Sequence, residues 1–220
     1  ASNVAPQVIL RPGGSMSDIY VNHELKRDLN GNIEIDPSTG NLSIAETDFR
    51  KVGQLSPRYT MGWSNSFGYK GIELGAVLTA RIGGLTYSAT QGVLDYYGAS
   101  QATADARDRG GIPINYGTVD PQKYYSAIST AEGGYGAYYL YSATNVRLQE
   151  AAIGYTLPRK WLHDVCDIQV SVVGRNLCMI YNKAPFDPEA VATTGNYYQG
   201  IDYFMLPSTR NIGFNVKINF

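Results

Sequence analysis

Two neighbouring stretches, residues 58–69 and 72–83, alternate between large apolar side chains and small or polar ones. In the first stretch, interrupted only by Asn65, the apolar positions are Tyr59, Met61, Trp63, Phe67 and Tyr69. In the second, they are Ile72, Leu74, Ala76, Leu78, Ala80 and Ile82. Because strand side chains point to opposite faces with period two, each stretch predicts a strand with one apolar face. Lys70 and Gly71 between them predict a two-residue hairpin turn.

These strands are too long for an ordinary soluble sheet. Strands of globular proteins centre on about 5–6 residues, whereas tilted barrel strands need about 9–11 to cross a bilayer. The apolar face of each stretch carries no charged residue. A barrel is the form in which strands cross lipid, because an open sheet edge would leave its backbone groups unpaired there. The hairpin therefore predicts a transmembrane antiparallel β-barrel, an all-β fold.

Four further segments alternate in the same way. Residues 145–157 change parity near Gln149 and Glu150, which predicts a β-bulge. Strands are also predicted over residues 16–28, 168–180 and 211–220, which gives about six barrel strands in all. The smallest transmembrane barrels have about eight strands. We therefore expect residues 1–220 to be the C-terminal part of a larger barrel, with the other strands outside this chain.

Connection lengths support the barrel. The link at Lys70 and Gly71 is short, residues 84–144 form a long link, residues 158–167 a shorter one, and residues 181–209 a long one. Outer-membrane barrels alternate short periplasmic turns with long extracellular loops. Within the first long link, Ser100 and Asp120 stand where helix caps are expected, before residues 101–107 and 122–128.

Composition excludes several function classes. A net charge of −1 and a charged fraction of 17% give no basic surface for nucleic acid. With two histidines and two cysteines, zinc binding and Ser-His catalysis have few residues available, so we expect no enzyme. A crossing strand would separate Cys166 from Cys178, and we expect both to be free thiols. The 18 tyrosines suit the aromatic girdles of a barrel.

Several short segments, in order, resemble the SusC/RagA family of TonB-dependent outer-membrane transporters of the Bacteroidetes. They cover residues 14–220 and include VGQLSPRYTMGWSNSF (52–67), YGASQATADAR (97–107), VRL through IGYTLP (146–158), GRNL (174–177), FDPE (186–189) and PSTR (207–210). Each segment is weak evidence by itself, but their order and spacing together resemble the family closely.

The resemblance implies a barrel of 22 strands with an N-terminal plug, covered outside by a SusD-like lipoprotein that acts as a lid. It implies active import of an oligosaccharide or a peptide, with TonB acting through the plug, in a chain located in the outer membrane. We expect no cofactor. It also implies a barrel-assembly signal in the last strand, on Ile212, Phe214, Val216, Ile218 and Phe220.

Two smaller sites are predicted in the loops. Family members often carry a calcium-like loop where this chain has Asp28, Asn30, Asn32 and Asp36. Asn32 and Ile33 depart from that pattern, and a plain hairpin turn at Asn30 and Gly31 is the alternative. Loop tyrosines are candidates for substrate or lid contact, with girdle anchoring and packing against the lid as the alternatives to substrate contact: Tyr96, Tyr97, Tyr138, Tyr197 and Tyr198.

Two other functions stay open at this point. A secreted β-sandwich that binds glycans would also contain alternating strands, although its strands would be shorter and its loop lengths would not alternate. A passive porin would share the barrel and differ only in the source of energy, which the family resemblance alone addresses. An enzymatic barrel is not supported, because the sequence shows no arrangement of a nucleophile with a general base. Asp187 and Glu189 are close carboxylates, but Pro185 and Pro188 favour an ordered turn there.

Overall fold

The computed structural model describes residues 6–36, 40–114, 117–129, 136–162, 165–190 and 200–219. The chain divides into two compact units. One unit comprises residues 57–83, 142–190 and 206–220, and we call it the wall unit. The other comprises residues 1–56, 84–141 and 191–205, and we call it the loop unit. Within the described ranges, no helix has both the length and the apolar content that crossing a membrane requires.

The wall unit is one antiparallel five-stranded sheet. Its strands, in chain order, are β4 (Tyr59–Tyr69), β5 (Ile72–Ile82), β10 (Asn145–Thr156), β11 (Asp167–Asn182) and β13 (Asn211–Asn219). Their order across the sheet is β13-β11-β10-β5-β4. The predicted strands over 58–69, 72–83, 145–157, 168–180 and 211–220 are therefore confirmed, with small shifts at their ends.

Turn chemistry explains two details of this sheet. Lys70 and Gly71 have φ of 48° and 84°, the pair of positive values that a two-residue hairpin turn requires. A side chain at Gly71 would approach the carbonyl oxygen of Thr156 to 3.0 Å, so glycine is needed there for space as well. The predicted β-bulge is confirmed, because the β10 register shifts between Leu148 and Glu150 against both neighbouring strands.

The loop unit contains the other strands and the α-helices. Three strands, β1 (Gln7–Val8), β2 (Asp18–Leu25) and β3 (Ile44–Gln54), form one sheet. A second sheet contains β6 (Leu85–Ser88), β9 (Leu140–Ser142) and β12 (Ile201–Asp202), and β7 (Ile112–Ile114) pairs with β8 (Gly117–Val119). The helices are α1 (Ala89–Tyr96), α2 (Gln101–Asp108) and α3 (Pro121–Ile128). Leu25, Leu42, Ala106, Val119, Tyr124, Tyr125 and Ile128 form its apolar core.

Two sequence expectations have different outcomes here. The helix caps are confirmed, since Ser100 accepts the N–H of Thr103 and Asp120 accepts the N–H of Gln122. The assignment of residues 16–28 to the barrel wall is wrong, because β2 pairs with β1 and β3 in the loop unit. Four consecutive residues of β2, from Asp18 to Val21, are buried, whereas a lipid-facing strand would leave alternate side chains exposed. Within the part of the chain that the structure describes, the wall sheet therefore has five strands.

Candidate functional site

One face of the wall sheet is apolar and exposed across all five strands. The register places Phe67 opposite Leu74, Leu74 opposite Ile153, Ile153 opposite Val172, and Val172 opposite Phe214. Directly paired residues point to the same face of a sheet. These five side chains are between 47% and 83% exposed. Such a contiguous apolar surface marks contact with a partner or with lipid, not with water.

The opposite face of the same sheet is polar. Ser64 pairs with Val77, Val77 with Glu150, and Glu150 with Arg175, whose Nε donates to Glu150 at 2.9 Å. Near the hairpin end of this face, Gln169 donates to the Glu73 carboxylate at 2.7 Å. A sheet with one apolar and one polar face fits a barrel wall between lipid and an aqueous interior.

Aromatic side chains border the apolar face at both ends. Tyr69 and Tyr155 lie in one row beside the hairpin turn, since both pair with Ile72. Tyr59 and Tyr181 lie at the far end, and Trp63 lies two rows closer to the hairpin than Tyr59. From Tyr59 to Tyr69 the strand rises about 34 Å, which a tilt of about 40° reduces to about 26 Å. The apolar band of outer-membrane barrels is about 25 Å tall, so the girdles have the right spacing.

The predicted terminal strand is confirmed as far as Asn219. Ile212, Phe214, Val216 and Ile218 pair with the apolar face of β11, opposite Gly174, Val172, Val170 and Ile168. All four apolar side chains of β13 are exposed. Phe220 lies outside the described residues. The role of these residues as an assembly signal stays a prediction.

A buried polar centre in the loop unit links α1 to Tyr139. Asp95, at 3% exposure, accepts a hydrogen bond from the Tyr139 hydroxyl at 3.1 Å and another from Gln91 at 2.7 Å. Burial, together with the nearby Asp95 charge, raises the pKa of Tyr139, so the phenol remains a donor. Tyr124 and Tyr125 are buried too, with their rings edge to face at 5.2 Å. Tyr124 and Tyr139 are buried inside the loop unit, whereas Tyr125, also buried, forms part of the lining of the cavity described next.

A polar cavity of about 560 Å³ opens beside this centre. Tyr96, Tyr97, Arg107 and Gln122 are among its lining residues. The Tyr96 and Tyr97 rings meet edge to face at 5.0 Å, and Arg107 donates to the Gly98 carbonyl at 3.1 Å. The complete lining is Asp95, Tyr96, Tyr97, Gly98, Thr103, Arg107, Asp120, Pro121, Gln122, Tyr125 and Ser126. It includes no aliphatic side chain other than proline, so a ligand there would meet aromatic rings and hydrogen-bonding groups.

The other candidate tyrosines lie elsewhere. Tyr138 is 45% exposed and packs edge to face on Tyr139 at 5.3 Å, outside the cavity lining. Tyr197 and Tyr198 lie outside the described residues. The structure therefore brings together Tyr96 and Tyr97 among the five candidates, and substrate contact stays a prediction for all of them.

The candidate calcium loop has the geometry of a tight turn. One Asp28 carboxylate oxygen accepts the backbone N–H of Asn30 at 2.9 Å and of Asn32 at 2.8 Å. Gly31 has a φ of 83°, and Arg27 donates to its carbonyl at 2.8 Å. Among the described residues, no group of three acidic, histidine or cysteine side chains could hold a metal ion. These contacts favour the hairpin-turn alternative, and calcium at Asp28, Asn30, Asn32 and Asp36 stays an untested prediction.

A buried arginine on the wall was not singled out as functional by the sequence. The Arg147 side chain is 3% exposed and donates to the Asp187 carboxylate at 2.7 Å. The predicted turn at Asp187 is present, since its carboxylate accepts the N–H of Glu189 at 3.0 Å. Asp187 is therefore both a turn residue and half of a buried ion pair. Cys166 and Cys178 are free; Cys166 directly precedes β11, and Cys178 lies within that strand.

Comparisons with known proteins agree with this geometry. The chain is 29% identical over 187 residues to "TonB-dependent receptor P3" of Formosa agariphila. It shares its fold with solved structures of the RagAB peptide importer in the closed-closed state (TM-score 0.58, 14% identity) and the open-open state (TM-score 0.59, 15% identity). Each alignment covers 93% of this chain. No protein-family model matches the chain.

The chain spans 18% of the length of the receptor and 22% of the solved importer chains. The predicted resemblance to RagA-like TonB-dependent transporters is confirmed, and so is the fold class. The chain has the fold of a segment of a large transmembrane β-barrel.

Proposed function

We propose that this chain, with the sequence and fold of a TonB-dependent receptor segment, forms part of a nutrient importer in the bacterial outer membrane. In the proposal, the wall unit supplies barrel strands, with the apolar face toward lipid and the polar face toward the interior. The loop unit supplies extracellular structure. The remaining strands and a plug complete the barrel, TonB drives import through the plug, and a SusD-like lipoprotein covers the outside.

The exposed apolar face carries this proposal. A soluble β-sandwich would bury such a face against a second sheet, because large exposed apolar surface promotes aggregation in water. Here Phe67, Ile153 and Phe214 are all more than half exposed. Lipid is the solvent in which a face of this size, bordered by aromatic girdles, is stable.

Fractionation and uptake test the proposal on the intact protein that contains this segment. We expect the protein in the outer-membrane fraction, released by detergent and not by high salt or alkaline buffer. We also expect uptake to stop when TonB is deleted. Recovery in the aqueous fraction would favour the β-sandwich, and uptake that continues without TonB would favour a passive porin.

The cavity of the loop unit is the proposed substrate contact. Flat aromatic faces beside hydrogen-bonding side chains suit the C–H faces and hydroxyl groups of an oligosaccharide, and also suit peptide backbone. Tyr97 is 76% exposed at the cavity, so its side chain is free to contact a ligand. The lack of aliphatic side chains in the lining favours the oligosaccharide of the two.

Replacing Tyr97 by alanine is expected to weaken substrate binding by about tenfold, roughly 1.4 kcal/mol, without unfolding the exposed site. Calorimetry on the intact detergent-purified protein would measure binding of short neutral oligosaccharides and of short peptides. Tyr203→Ala is the matched control, because Tyr203 is 58% exposed and does not line the cavity. Equal affinities for both variants and the parent would remove Tyr97 from the proposed contact.

A further inference from the structure

The Arg147 side chain binds three separate segments of the chain. Its Nη2 donates to Asp187 at 2.7 Å, and its Nη1 donates to Asn176 at 2.8 Å and to Ser208 at 3.0 Å. Glu189 lies at 3.7 Å from Nη2. The arginine comes from β10, Asn176 from β11, and the other partners from the connection between β11 and β13. A planar guanidinium with several fixed donors is suited to holding partners in different directions.

The partners also bind one another. Ser208 donates its hydroxyl to the Asp187 carboxylate, and Asn176 donates to Ser208 at 2.9 Å and to the Thr209 carbonyl at 3.2 Å. Asn176 adopts a φ of 52°, an uncommon backbone conformation that asparagine tolerates better than most residues. Non-glycine residues are found in this conformation where their surroundings hold them in it. We call Arg147, Asn176, Asp187 and Ser208 the clamp.

The position of the clamp along the chain indicates its role. Residues 191–205 belong to the loop unit, while the residues on either side belong to the wall unit. Asp187 and Glu189 lie just before that excursion and Ser208 lies just after it. The clamp therefore fixes both the point at which the chain leaves the wall and the point at which it returns.

Stability alone does not account for such a buried ion pair. Desolvating two charges costs several kcal/mol, and apolar residues of similar volume often serve as well or better. Buried polar groups are retained in several proteins because they specify one arrangement among alternatives. The clamp joins three elements in one arrangement, which is the property that apolar packing supplies least well.

We propose that Arg147 is a positioning residue that fastens both ends of the 191–205 excursion to the wall, and that high-affinity substrate capture requires it. The part concerning capture rests on the proposed import function and on one contact of the excursion: the Phe204 N–H donates to the Thr90 hydroxyl at 2.7 Å, and Thr90 belongs to α1, which carries the cavity-lining Tyr96. The part concerning fastening does not, because it follows from the contacts of Arg147 alone.

Limited proteolysis of the intact membrane-inserted protein tests the fastening. Chymotrypsin cleaves after Tyr203 and Phe204, which are exposed residues of the excursion. We expect Arg147→Met to accelerate cleavage there by about tenfold or more, because cleavage follows the population of the released loop. Arg175→Met is the matched control, since Arg175 pairs with Glu150 and joins two wall strands without touching the loop.

Three further measurements make the outcome decisive. Retained mobility of the folded barrel on unheated SDS gels shows that the wall is intact in each variant. Should Arg147→Met fail that control, Asp187→Asn weakens the same clamp and is expected to accelerate cleavage by a smaller factor. Cleavage at the parent rate in every folded clamp variant would overturn the proposal.

In uptake assays, we expect the clamp variant to need several-fold more substrate for half-maximal import at an unchanged maximum. An unchanged half-maximal concentration would overturn the capture role, whereas TonB-independent uptake by the parent would overturn the import function and leave the fastening result valid.

Discussion

Replacing Leu78 by arginine is expected to destabilise the barrel by about 2–4 kcal/mol, the cost of this side chain near the midplane of a bilayer. Leu78 pairs with Trp63 on one side and Leu148 on the other, in the middle rows of the apolar face. The aromatic girdles lie above and below it, so the substitution would introduce the arginine within the apolar band. Urea titration of the intact protein folded into lipid vesicles would measure the loss.

Val77 supplies the control, because it is the next residue of β5 and faces the other way. It pairs with Ser64 and with Glu150, whose carboxylate already accepts from an arginine. We expect Val77→Arg to cost less than about 1 kcal/mol, since its charge would lie in water beside an acid. Thr79, the other neighbour of Leu78 in β5, is a less suitable control because it pairs with the buried Arg147. Equal losses for Leu78→Arg and Val77→Arg would contradict the assignment of the two faces.

The wall could be predicted from the sequence because its signal is local. Alternation along each strand depends only on neighbouring residues, and Lys70 with Gly71 specifies the turn between β4 and β5. The bulge at Glu150 could be predicted for the same reason, since it appears as a change of parity. Each of these features is encoded within about a dozen consecutive residues.

The assignment of residues 16–28 failed because alternation does not report what covers a strand. Ile19 and Val21 alternate with Tyr20 and Asn22 much as wall residues do, yet Tyr20 is buried as deeply as its neighbours. Lipid exposure and burial in a core both select apolar side chains at a given position. Only the pairing of β2 with β1 and β3, which joins distant segments, separates the two cases.

The contacts of the clamp could not be predicted from the sequence for a related reason. Arg147 and Asp187 are forty positions apart, and Ser208 is farther along again. Segments containing the clamp residues were recognised by their resemblance to a family, but resemblance gives no contact between them. Only the folded wall shows that VRL, GRNL, FDPE and PSTR meet at one buried arginine. Segments with no apparent chemistry of their own can therefore act together.

Replacing Arg147 by methionine is expected to cost about 3 kcal/mol at neutral pH, at the lower end of the range for breaking a buried ion pair. Methionine fills most of the arginine volume, so the loss comes from the Asp187 charge and not from a cavity. Asp187 keeps the Ser208 hydroxyl and the Glu189 amide as donors, which limits the cost. Equilibrium unfolding of the intact protein in lipid vesicles, with Arg175→Met as the exposed control, would measure it.

The double variant Arg147→Met/Asp187→Asn identifies the source of that loss. Asparagine keeps an acceptor for the Glu189 amide and removes the buried charge, so the double variant should recover about half of the lost stability. Additive losses from the two single substitutions would mean that the two side chains act independently, contrary to the ion pair.

The pH dependence of the stability distinguishes the ion pair from simple packing. Burial alone would raise the pKa of Asp187, but the hydrogen bonds from Ser208 and Arg147 hold that pKa below its ordinary value of 3.8. A carboxyl with a lowered folded-state pKa contributes stability above its unfolded pKa and loses it as pH falls through the folded value. The parent should therefore keep this contribution at pH 5 to 8 and lose it only below about pH 3.8. In Arg147→Met the arginine hydrogen bond that lowers the pKa of Asp187 is lost, while those from Ser208 and Glu189 remain, so this pKa should lie above its value in the parent. The stability difference between parent and variant should then narrow as pH falls through the Asp187 pKa of the variant, and a difference that stays constant would assign the loss to packing.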